Sequence, residues 1–116
     1  MIPTARYRLH LDYHATSINV RVASSFRQRA RGLFAHRDLD AEELLLLKPC
    51  SAVHTFGLGF AIDVAFTDAA GRVLALSAWL APCRWVGCVG AHAAWEGRAG
   101  HFARHGIRVG TCLQLQ

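Results

Sequence analysis

Apolar and polar residues alternate along much of this chain with the period of two that marks β-strands. Tyr7, Leu9, Leu11 and Tyr13 alternate with Arg8, His10 and Asp12, and Ile18, Val20 and Val22 alternate with Asn19 and Arg21. The polar link from His14 to Ser17 is expected to join these two strands as a hairpin. Ser24-Ser25 then offers an N-cap and Gly32 a stop. Phe26, Ala30 and Leu33 share one helical face, and Arg27 and Arg31 share another, so a short helix is expected over residues 24–31. Leu44 to Leu47 is an apolar run followed by Pro49, the signature of a short buried strand.

Ala61 to Thr67 predicts a further strand, with Ile62, Val64 and Phe66 on one face and Asp63 on the other. Asp68-Ala69-Ala70-Gly71 supplies a turn, with glycine where a left-handed backbone is needed, and Arg72 to Leu80 returns as the hairpin partner. Ala91 to Trp95 reads as a short strand. Gly97 to His105 reads as a helix stopped by Gly106, and Arg108 to Leu115 as a last strand around Gly110. About seven short strands and two short helices result. Strands mostly follow strands, so the pattern predicts a mostly β (β-rich α+β), mostly antiparallel sandwich or barrel rather than a βαβ fold.

Length and composition narrow this further. With 116 residues, 53% of them hydrophobic, the chain suits one domain over 1–116 with a real core. This excludes intrinsic disorder and argues against a two-lobed enzyme with a closing cleft. Lys and Arg outnumber Asp and Glu by 13 to 8, giving +5, and Lys48 is the only lysine. Such a balance permits an anionic partner but reads first as a basic soluble surface. Cys50, Cys83, Cys88 and Cys112 form no close pair and read as reduced, buried or partly buried thiols. No apolar signal region follows Met1, and the longest uncharged stretch, Pro49 to Ile62, is too polar to span a membrane. A cytoplasmic location is the expectation by elimination, with no membrane partner.

Four segments carry a resemblance. They are Arg27-x-x-x-Arg31-Gly32-Leu33, then His54-Thr55-Phe56-Gly57 with Ile62-Asp63-Val64-Ala65-Phe66, then Asp68-x-x-Gly71-x-Val73-Leu74, and finally Gly100 through His105-Gly106-Ile107-x-x-Gly110. In this order they resemble the uncharacterised bacterial family called domain of unknown function 192. The resemblance covers roughly residues 18–115 and leaves 1–17 as an N-terminal strand or extension. It implies a compact, jelly-roll-like β-domain and no established activity. The chain departs from the family pattern at Leu58, where Met is common, and at Ala61, where Pro commonly precedes Ile-Asp. Trp95-Glu96-Gly97-Arg98-Ala99-Gly100 replaces Leu-Glu-Leu-Pro-Ala-Gly and keeps the acid as Glu96.

The chemistry gathers around the central block. His54 with Asp63 or Glu96 could form a proton-transfer pair in a small hydrolase or transferase, with Phe56 and Trp95 as an apolar wall. The plainer alternative anchors a loop with His54 and sets the two acids against backbone amides or Arg, with Arg31 pairing an acid such as Asp63. His101 and His105 lie four apart, but the Cys and His spacings match no zinc pattern, and the two histidines read as solvated or C-terminal helix residues. No metal or cofactor is implied. Cys83 beside Arg84, or Cys50 four residues before His54, offers a thiol nucleophile, against the commoner buried thiol. Arg27, Arg29, Arg31 and Arg37, with Trp79, Trp85 and Trp95 for base stacking, permit weak nucleic-acid binding, which a solvated helix face explains as well. The leading expectation is a binding or accessory module for a small molecule or protein. Its site would comprise His54, Phe56, Asp63 and Glu96, with Arg31 nearby.

Overall fold

A computed structural model describes residues 6–23 and 42–116. The helix expected over 24–31, Arg31 and the Arg27–Arg37 patch lie outside the described residues. Within them are nine strands and one short helix: β1 Arg6–Leu11, β2 His14–Ala23, β3 Glu43–Leu47, β4 Ala52–His54, β5 Ile62–Thr67, β6 Val73–Leu80, β7 Trp85–Gly87, β8 Ala93–Arg98, α1 His101–Arg104 and β9 Leu113–Leu115. Seven strands form one sheet in the order β6-β5-β8-β3-β2-β1-β9, while β4 and β7 pair on their own. Every pairing is antiparallel except β2 with β3.

The two outer strands of the large sheet meet at one end. Arg72 bridges Cys112. The N–H of Val73 donates to Thr111 O (2.8 Å), that of Gly110 to Val73 O (2.9 Å) and that of Leu113 to Gly71 O (2.7 Å). These bonds close the sheet into a barrel and satisfy edge groups that would otherwise be left open. Gly71 makes the closure possible. Its φ is +93°, and a Cβ there would collide with the carbonyl oxygen of Leu113.

Two cores explain the apolar runs. All five residues of β3 and all six of β5 are buried, so side chains on both faces leave water. One face supplies Leu44, Leu46, Ala65 and Trp95 to a cluster with Leu9, Val20 and Phe102, drawn from around the barrel. The other face supplies Leu45, Leu47, Ile62, Val64 and Phe66, which pack under Val53 of the small sheet and Leu58 of the loop after it.

Three expected boundaries move. The β1–β2 turn is Asp12-Tyr13, both left-handed at φ 48° and 69°, and residues 14–17 belong to β2 instead of a link. A two-residue turn of this hand matches the twist of the strands it joins. The helix expected over Gly97–His105 shrinks to His101–Arg104, because β8 continues through Gly97 and Arg98. Gly97 keeps β8 against β3, where an added Cβ would stand 2.7 Å from Leu44 Cδ2. The last strand starts only at Leu113, after a left-handed Gly110 (φ 94°). Among the described residues the expected second helix survives only as this short one, and no helix there is long and apolar enough to cross a membrane.

Candidate functional site

Thr55 organises the central block. It is fully buried. Its N–H donates to Arg84 O (2.9 Å), and its carbonyl accepts from Leu58 (3.2 Å) and Cys83 (3.2 Å). Its hydroxyl donates to Ala81 O (2.7 Å) and accepts from the Arg84 N–H (2.8 Å). The loop after β4 is thereby fastened to the β6–β7 connection.

On this fastened backbone, β4 pairs with β7 and places His54 directly across from Trp85. The two rings stack with centroids 5.4 Å apart and planes 7° from parallel. Phe56 approaches the same imidazole at 5.4 Å and 36°. Phe56 is 51% exposed and Trp85 66%, so the cluster shows most of its aromatic surface to solvent. His54 Nδ1 is buried without a hydrogen-bond partner among the described residues.

Asp63 and Glu96 are organised differently. Asp63 is 0% exposed, and its carboxylate accepts three backbone N–H groups: Trp79 on Oδ1 (2.9 Å), Gly100 (3.1 Å) and Phe102 (3.0 Å) on Oδ2. These bonds seat the first turn of α1 and hold a register shift in the β5–β6 pairing, where Trp79 takes a left-handed φ of 54°. Backbone amides are therefore the described partners of Asp63. Glu96 aligns with Val64 and Leu45, whereas Asp63 aligns with Gly97, so the two acids face opposite sides of the sheet. Burial raises the Glu96 carboxyl to about 8.

Trp95 is a core residue, and its indole N–H donates to Thr67 Oγ1 (3.1 Å). The apolar wall expected of Phe56 and Trp95 is instead built from Phe56 and Trp85. Only Trp79 and Trp85 remain available for stacking on a base. Among the thiols, Cys112 is buried, Cys83 is exposed, and Cys50 Sγ lies 3.2 Å from Ala52 O. A cleft of about 500 Å³ beside Thr67–Gly71 and Leu113–Leu115 includes neither His54 nor Phe56.

Of the two histidines expected to be solvated or at the helix C-terminus, His105 is the C-cap and His101 departs. His101 is fully buried rather than solvated, and burial, with His105 beside it, lowers it to about 4. His105 Nε2 lies 3.0 Å from a carboxylate oxygen of Glu42, a residue 63 positions away that spacing alone could not connect to it.

The model of the family DUF192, described as an uncharacterised group, matches residues 9–115. The chain belongs to this family. Comparison with curated proteins finds no match. Two solved structures share the DUF192 chain's fold. One is a Sinorhizobium meliloti protein provisionally described as a transcription regulator: TM-score 0.85, 18% identity, covering 99% of this chain and 97% of that one. The other is a Novosphingobium aromaticivorans protein of unknown function: TM-score 0.72, 22% identity, covering 82% and 73%. At these identities the likeness concerns the fold.

Proposed function

We propose that this DUF192 domain is a binding module that holds a planar or apolar group of a small-molecule or protein partner on the rings of His54, Phe56 and Trp85. The observation that carries the reading is the stacked, solvent-facing cluster on a backbone locked by Thr55. Rigid aromatic surface is ordered before binding, so little further entropy is lost when a partner packs on it. Acid–base catalysis finds less support. The Asp63 oxygens are occupied by main-chain donors, and Glu96 faces the other side of the sheet. In this reading Asp63 positions the frame and does not touch the partner.

The test is an amide NMR titration of the labelled protein with tryptophanamide and with adenosine monophosphate. Shifts centred on residues 54–57 and 84–86, lost in a folded Phe56→Ala/Trp85→Ala variant, are expected. Shifts gathered at the Thr67–Gly71 cleft, or none at about 10 mM probe, would overturn the reading. Binding of a short single-stranded oligonucleotide that falls steeply with salt would instead favour nucleic-acid binding, the reading suggested by the name of the Sinorhizobium neighbour.

A further inference from the structure

Glu42, at the entry to β3, meets His101 of α1 and His105 just after it. One ligand atom from each of Glu42, His101 and His105 lies within 4.8 Å of the others. Glu42 Oε2 and His105 Nε2 are 3.0 Å apart, and the two imidazole centroids 4.6 Å apart. His101 is the informative member. It is 0% exposed, and neither ring nitrogen has a hydrogen-bond partner among the described residues. A buried polar atom left this way is costly, so an unpartnered imidazole beside two other ligand groups calls for an explanation.

We propose that Glu42, His101 and His105 bind a borderline divalent transition-metal ion, zinc foremost. Two imidazoles and one carboxylate form a donor set zinc accepts, and three protein ligands leave a fourth position for water. Donor atoms around a tetrahedral zinc lie about 3.3 Å apart, so the cluster must tighten by no more than about 1.5 Å. That adjustment falls to Glu42, whose side chain is 57% exposed, and to the partly exposed His105. Arg104 opposes a cation here, but its contact with Glu42 is long (3.8 Å) and exposed at both ends. The metal leaves the aromatic cluster untouched, and this proposal does not rest on the reading given for it.

The experiment uses the untagged, chelator-treated chain, titrated with zinc by calorimetry and with cobalt by visible absorption. One equivalent of zinc, a tetrahedral cobalt spectrum without a thiolate charge-transfer band, and a higher Tm with zinc are expected. His105→Ala and Glu42→Gln change the exposed side of the site and keep the fold, and each should weaken zinc at least tenfold. His101→Ala should abolish binding. No stoichiometric zinc, equal affinity in His105→Ala and Glu42→Gln, or a thiolate band showing capture by cysteines would overturn the proposal.

Discussion

Replacing Asp63 by Asn tests the frame most directly. The substitution preserves size and removes the charge. The carboxylate accepts three main-chain N–H groups at 2.9, 3.1 and 3.0 Å in a fully buried position. An amide has a single acceptor oxygen. Turned toward Gly100 and Phe102, it keeps two bonds but makes each neutral, at a loss of about 1 kcal/mol apiece. Its NH2 then faces the Trp79 N–H, donor against donor, which adds about 1–3 kcal/mol. The loss of about 3–5 kcal/mol is a large part of the stability of a domain this size. Urea unfolding followed by tryptophan fluorescence should show it as a fall in midpoint with unchanged slope. Hydrogen exchange should quicken first at Trp79, Gly100 and Phe102. A loss below about 1 kcal/mol, with those amides still protected, would refute the assignment of Asp63 to the frame.

Other consequences are equally open to measurement. Glu96 has its folded value raised from 4.5 to about 8. Its contribution is full below about 4.5 and is lost as pH rises toward 8, by at most about 1.4 kcal/mol per unit, and Glu96→Gln should flatten the urea midpoint across that window. Gly71→Ala combines a left-handed backbone with a clash at the seam and should cost about 3 kcal/mol or more, read by thermal unfolding. Thr67→Val strands the Trp95 indole N–H and should cost about 1–3 kcal/mol without changing the fold, checked by urea unfolding and circular dichroism. Thr55→Val deprives the Arg84 N–H of its acceptor and should also loosen Trp85, seen as lower steady-state fluorescence anisotropy.

What the sequence reveals here is what local pattern encodes. The Leu44–Leu47 run and the Asp68–Gly71 turn stand where the pattern puts them, and the alternation that announces β1 and β2 holds although the turn between them falls at Asp12-Tyr13. The His54 block is likewise legible as special. Its chemistry is less so, because the partners come from elsewhere in the chain. Trp85 reaches His54 only through the register of two three-residue strands, too short for periodicity to reveal. Asp63 stands out as an acid in an apolar strand, but the amides it holds are 16, 37 and 39 positions away. Gly97 to His105 carries helical spacing, yet pairing with β3 and β5 claims its first residues for a strand. Tertiary pairing there outweighs local preference.

Closing the barrel also sets a timetable for its assembly. β1 leaves the ribosome well before its partner β9, which consists of residues 113–115. The seam likewise joins Gly71–Val73 to Gly110–Leu113. Until those late residues emerge, β1 waits with one row of main-chain groups unpaired. An open strand edge invites capture by another chain, and such long-range pairings form slowly. Charged or ionisable residues at Arg8 and His10 give that edge some protection while it waits. The domain should therefore depend more on chaperone holding during synthesis than its small size suggests. Deleting β9 should yield aggregate rather than a smaller soluble domain.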